Sequence, residues 1–209
     1  MGYQAVFKRY ELKYMVTADQ KEKILKAMEP YMEPDRFGRS TVRNLYFDTD
    51  DFVLARHSIA KPDYKEKLRI RSYRQAKEED AVFVELKKKY KSVVYKRRVN
   101  LPNGQAMEYL AGKRKAPIHT QITEEIDYFL SYYESLAPRV FLSYEREAYD
   151  TKESGEFRVT FDENILWRET ELSLEKGIRR IAICLTLFLE GFLIWKMQQS
   201  LLFRSLYSA

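Results

Sequence analysis

Lys67, Arg69 and Arg71, each separated by one residue in the segment KLRIRSY, share one face of a predicted strand with Tyr73. Leu68 and Ile70 hold the other face. Guanidinium forks grip phosphate oxygens two at a time, and an ammonium adds a mobile point charge. The same spacing recurs. Segment 7–16 sets Arg9, Glu11 and Lys13 against Tyr10, Leu12, Tyr14 and Val16. Segment 82–88 sets Glu85 and Lys87 against Val82, Val84 and Leu86, and 156–162 sets Arg158, Thr160 and Asp162 against Phe157, Val159 and Phe161. One such strand is explained by a half-wet sheet that shows its charges to water. Four of them argue for a shared surface that meets a polyanion.

The pattern predicts seven strands, over 7–16, 42–48, 67–73, 82–88, 92–99, 139–149 and 156–162. A capping box, Thr17 with Gln20, opens a helix whose apolar stripe is Ile24, Leu25 and Met28. Two further helices are expected over 105–111 and 120–136, the second with Ile122, Ile126, Phe129, Leu130 and Tyr133 on one side. Residues 51–66 give no clear pattern. With no repeat or flexible linker, the fold class expected is α+β, an antiparallel sheet with flanking helices. If that sheet closes into a barrel, its charged faces point all inward or all outward. The apolar faces need the helices to cover them, so the charges belong inside. Desolvating unpaired cations costs several kcal/mol each. Such an interior must be wet, paired with the inward carboxylates, or filled by an anion.

Composition narrows the anion and the chemistry. Lys and Arg number 37 against 31 acids, a modest excess, so placement matters more than total charge. One cysteine rules out an intrachain disulfide, and two histidines far apart argue against a zinc site. No glycine-rich phosphate loop is present. Base stacking would ask for aromatic residues among the cations, and only Tyr73 qualifies clearly, so nucleic acid is not the expected partner. A phosphate chain has no bases to read. Glu11, Glu85 and Asp162 would repel a nucleic-acid backbone, and they make sense as ligands or outer partners of Mg²⁺ or Mn²⁺ bridging phosphates. Salt bridges to neighbouring lysines are an equal alternative for Glu11 and Glu85, as is a turn cap for Asp162.

Six segments in order, RYELKY (9–14), YKEKLRIRSY (64–73), VFVELKKK (82–89), VVYKRRV (93–99), SYEREAY (143–149) and FRVTFDENI (157–165), together resemble the VTC (vacuolar transporter chaperone) domain. That is the polyphosphate polymerase domain of the CYTH or triphosphate tunnel superfamily. The resemblance implies an antiparallel β tunnel barrel of about eight strands. It also implies a reaction that moves the ATP γ-phosphate onto a polyphosphate chain with a divalent metal, Mn²⁺ or Mg²⁺. By motif, Arg69, Arg71, Arg146 and Arg158 fall in catalytic positions, while Lys13, Lys67, Lys87, Lys96 and Tyr144 fall in substrate-binding ones. The metal would fall to Glu11, Glu85 and Asp162.

The resemblance covers 7–175, giving a tunnel domain over 1–175 and a divergent tail over 176–209. The family's closing strand carries a metal-binding Glu-x-Lys pattern, and this tail has LEG and KMQQS in its place. An incomplete barrel is therefore expected, with a degenerate or frame-shifted end; Glu175 and Glu190 are substitutes that no spacing favours. Segment 181–195 has 15 residues and contains Glu190. A spanning helix needs about 20 apolar residues, so a buried segment is preferred, with Cys184 a small buried hydrophobe. No leader pattern is expected at MGYQAVFKRYELK. The partners expected are ATP and polyphosphate, without nucleic acid or stable membrane insertion, in the cytoplasm, with a membrane partner subunit left open. Three other readings remain at this stage: a triphosphatase using the same tunnel, a polyphosphate binder without turnover, and a basic nucleic-acid module.

Overall fold

The computed structural model describes residues 5–153, 157–177 and, as backbone, 193–199. In chain order the elements are β1 (Val6–Val16), α1 (Ala18–Met28), β2 (Met32–Pro34), β3 (Ser40–Asp48), α2 (Val53–Ile59), β4 (Tyr64–Ser72), β5 (Ala81–Tyr90), β6 (Val93–Pro102), α3 (Asn103–Leu110), α4 (Gln121–Tyr132), β7 (Ala137–Thr151), β8 (Arg158–Arg168) and β9 (Leu193–Gln199). Eight strands pair antiparallel in the order β7-β3-β4-β5-β6-β1-β9-β8, and β8 pairs back with β7. The ladder therefore runs round a ring, the antiparallel β tunnel with flanking helices expected from the alternation.

β9 corrects one expectation. The ring was expected to stay incomplete, because the tail lacks the Glu-x-Lys pattern. Instead the backbone of β9 pairs with β1 from Val16↔Leu193 to Tyr10↔Gln199, and with β8 from Asp162↔Ile194 to Arg158↔Gln198. Ladder bonds join peptide groups, so closure does not need particular side chains. Glu190, Cys184 and most of segment 181–195 lie outside the described residues.

The apolar faces of β3 to β6 lie outward and are covered, whereas Leu12 and Tyr14 of β1 are exposed. Leu45, Phe47, Leu68, Ile70, Val82, Val84, Leu86, Val99 and Leu101 pack with Ala106, Tyr109 and Leu110 of α3 and with Ile126 and Phe129 of α4. Leu68, Ile70 and Leu86 are fully buried, each contributing about 1.5–3 kcal/mol. A second cluster seats Ile24, Leu25 and Met28 of α1 on Met32, Val159 and Phe161. The expected capping box holds the start of α1, with Thr17 N donating to Gln20 Oε1 at 2.8 Å and Gln20 N to Thr17 Oγ1 at 3.2 Å. Besides β9, two elements escaped the sequence reading. β2 is three residues ending on Pro34, and α2 lies in the unpatterned stretch. Asp48 organises α2, its carboxylate accepting from Leu54 N and Ala55 N at 2.9 Å. A carboxylate on the first amides of a helix is favoured by both hydrogen bonds and the helix dipole.

Candidate phosphate-binding cavity

Outward apolar faces leave the charged faces turned into the ring, where they line a cavity of about 710 Å³. Its wall carries Lys13, Lys65, Lys67, Arg69, Arg71, Lys87, Lys89 and Arg146, against two carboxylates, Glu11 and Asp162. Among the described residues the wall therefore carries six more cations than carboxylates.

The arginines have fixed partners. Arg69 faces Glu85 across β4 and β5; its Nε and Nη2 donate to Glu85 Oε2 at 2.9 and 2.6 Å, and its Nη1 donates to the Tyr46 hydroxyl at 2.8 Å. Arg71 donates from Nε to Asn44 Oδ1 at 2.9 Å and from Nη2 to the Tyr144 hydroxyl at 2.8 Å. Arg146 makes a fork on Asp162, both bonds at 2.6 Å, and reaches the Tyr144 hydroxyl at 3.3 Å. Each planar fork is thus held at a set angle, with its remaining donors free for a ligand. Glu85 is 0% exposed, and burial alone would raise its pKa. Arg69, Arg71 and Lys96 override that and hold it well below the usual carboxylate range. Arg146 is shifted up despite burial, by Tyr144 and Asp162.

The lysines are looser. Lys87 bonds both Glu11 oxygens at 3.1 Å, and Lys13 approaches Glu11 at 3.8 Å with 62% of its side chain exposed. Lys65 donates to the Ser58 carbonyl at 3.1 Å. No hydrogen bond or ion pair joins the Lys67 or Lys89 ammonium to another described residue. Burial lowers the Lys65 pKa, and repulsion from Lys89, Lys67, Lys13 and Lys61 lowers it further. Burial also lowers Lys87, to about 8; Glu11 opposes that shift, while Lys13 and Arg69 add to it. Ammonium groups that depress one another are a site short of negative charge.

Of the residues singled out by sequence, Lys13, Lys67, Arg69, Arg71, Lys87, Arg146, Tyr144, Glu11 and Asp162 come together on this wall. Three placements differ. Lys96 and Glu85 are buried behind the wall, paired at 3.4 Å, with the Lys96 ammonium 3.9 Å from the centre of the Phe7 ring. Glu85 is fully buried as the counter-ion of Arg69 and Lys96 and does not reach the cavity wall, unlike Glu11 and Asp162. Arg158 does not line the cavity. It faces Asp150 across the β7–β8 ladder, binds it at 2.9 Å and also pairs with Asp35, so two carboxylates hold it at the end of the ring. Tyr46, Lys65 and Lys89 also line the wall and were not among the residues singled out by sequence. Extending the parity of 67, 69 and 71 back to 65, and of 85 and 87 on to 89, finds both lysines.

Among the described residues no group of three or more His, Cys, Asp or Glu side chains is arranged to hold a metal ion. Glu11 and Asp162 do face the cavity, and hydrated Mg²⁺ or Mn²⁺ binds through one or two carboxylates plus substrate phosphates. The wall therefore fits an ion that arrives with its phosphates. Glu175 lies elsewhere and accepts from Asn103 Nδ2 at 3.2 Å. No helix among the described residues is long and apolar enough to cross a membrane.

Comparison with known proteins agrees with this geometry. A candidate adenylate cyclase from Bacillus halodurans superposes with a TM-score of 0.54 at 16% identity, covering 93% of this chain and 81% of that one. A candidate adenylyl cyclase from Hippeastrum, described as having a dominant triphosphatase activity, superposes with a TM-score of 0.50 at 15% identity, covering 94% and 82%. These likenesses establish the shared CYTH-like tunnel fold. No curated protein matches the sequence. The VTC domain family matches residues 8–200, running past position 175 and taking in β9. With the sequence match spanning most of the chain and the ring of strands closed about a cationic interior, the chain belongs to the VTC domain family.

Proposed function

We propose that this chain is a polyphosphate polymerase domain that transfers the γ-phosphate of ATP to the end of a polyphosphate chain. The observation that carries the reading is the cavity wall, eight cations against two carboxylates, with three arginines already aimed. A terminal oxygen of the acceptor chain attacks the γ-phosphorus in line. One P–O bond forms, the bond to the β–γ bridging oxygen breaks, and ADP leaves. Phosphoryl transfer needs positioning and charge neutralisation, with no covalent intermediate on the protein. Arg69, Arg71 and Arg146 hold the triphosphate and meet charge that develops on the transferred group; Lys13, Lys67 and Lys87, with Lys65 and Lys89, hold the acceptor chain. Tyr144 steadies Arg71 and Arg146 together. Glu11 and Asp162 would hold Mn²⁺ or Mg²⁺, which supplies further neutralisation when bound. A cytoplasmic site of action belongs to the same proposal.

The test is incubation with ATP and Mn²⁺, followed by gel staining for polyphosphate. Long chains support the proposal. Orthophosphate alone, with loss of ATP, would make the protein a triphosphatase of the same fold. Binding without loss of ATP would make it a polyphosphate binder.

A further inference from the structure

Among the described residues Tyr46 is the one phenol on the cavity wall besides Tyr144, and it comes from a strand with no residue assigned to the chemistry above. It sits directly across the β3–β4 ladder from Arg69, its hydroxyl accepts from Arg69 Nη1 at 2.8 Å, and the guanidinium carbon lies 5.6 Å from its ring centre. We propose that Tyr46 is a positioning residue that aims Arg69 at bound phosphates and takes up a proton as a phosphate chain enters the cavity. The proposal rests on the phosphate-binding reading above and extends it to a residue and a coupling.

The surroundings of the hydroxyl give the reason. β4 presents Arg69, Arg71 and Lys67 to it, and the nearest carboxylate along that contact is Glu85 of β5, behind Arg69. Its neighbour across β7 is the neutral Val140, and α2 contributes the neutral Ser58 to the wall. Burial would push the Tyr46 phenol up, but the three cations of β4 reverse that and bring it down to about 8. In the empty cavity the phenolate therefore serves as a built-in counter-anion above that pH. A phosphate chain brings its own negative charge to the same cations. It removes the advantage of the phenolate, and the oxygen takes a proton from solvent. With the phenol protonated, its lone pairs still accept from Arg69, so the aim of the fork survives the exchange.

The experiment is a pH titration of the near-ultraviolet phenolate band with and without tripolyphosphate, in wild type and Tyr46→Phe, alongside tripolyphosphate affinity by calorimetry. Wild type is expected to show a phenolate step near pH 8, which moves upward by about one unit or more at saturating tripolyphosphate. Tyr46→Phe is expected to lack the step and to bind tripolyphosphate about fivefold more weakly near neutrality. The deficit should shrink as pH rises through the wild-type step, because wild type then loses a proton to regain before binding. Tripolyphosphate binding that leaves the step in place overturns the coupling and spares the phosphate-binding reading. Absence of binding by wild type overturns both. The wild-type titration decides the coupling even if the variant fails to fold.

Discussion

Arg69, Arg71 and Arg146 each have a partner at hydrogen-bond distance, whereas Lys67 of β4 and Lys89 of β5, on the same wall, have none among the described residues. The two sets use charge differently. A guanidinium held by Glu85, Asn44 or Asp162 has already lost its rotamer freedom, so a ligand need not supply that ordering energy. A free ammonium on a long stem gives attraction without direction, and adapts to whatever phosphate lies near it. The arginines suit a reacting triphosphate whose geometry must be set. The lysines suit a chain that slides. The carboxylates that a quick reading would count as repulsive are what hold the arginines in place.

Breaking an arginine pair should have the largest effect. Arg69→Ala leaves the fully buried Glu85 with Lys96 and a more distant Arg71, and should destabilise the fold by about 3 kcal/mol in a denaturant titration. Arg71→Ala, which strands Asn44 and Tyr144 rather than a carboxylate, should mainly cost ligand affinity, about 100-fold for tripolyphosphate by calorimetry. Equal losses of stability in the two variants would erase the distinction drawn around Glu85.

Acid should act on the arginine side. Glu85 has a depressed pKa when folded, so its contribution is complete above the unfolded carboxylate value of about 4.3 and is lost as pH falls below it. Wild-type stability should therefore drop through that acid range, and Glu85→Gln should flatten the drop. Alkali should act on ligand binding. Lys87 loses its charge near pH 8, so affinity for tripolyphosphate should fall as pH rises through that value, and Lys87→Arg should retain more of it. The smallest effect belongs to the free lysines. Lys89→Ala should weaken binding about fivefold or less, with no loss of stability and a reduced sensitivity to salt. A large loss of stability there would mean the ammonium has a partner after all.

Much of this was legible in period-two alternation. The faces of 67–71, 82–88 and 158–162 fix which side chains share a surface, and the apolar opposite faces force the charges inward once helices are available to cover them. Register was not legible, and register decides partners. Arg158 has the same parity as Asp162, yet its place on the ladder sets it against Asp150, and the turn before β3 brings Asp35. Glu85 and Lys96 look like ligands in a list of alternating residues, but their places on β5 and β6 turn them toward each other. Tyr46 was hidden by its type, since an aromatic residue in a strand is by default core. β2 depends on pairing with the distant β7, whereas α2 is organised locally by the Asp48 carboxylate just upstream, in a stretch without a clear apolar stripe.

The central claim is that cations from separate strands converge on one cavity and grip linked phosphates there. Calorimetric titration of tripolyphosphate into wild type and Arg146→Met tests it most directly. The account predicts one tripolyphosphate bound per chain by wild type and binding about 100-fold weaker in the variant, because that fork is fixed by Asp162 and faces the cavity. Equal affinity in both proteins, or several weak ligands per chain spread over the surface, would contradict it.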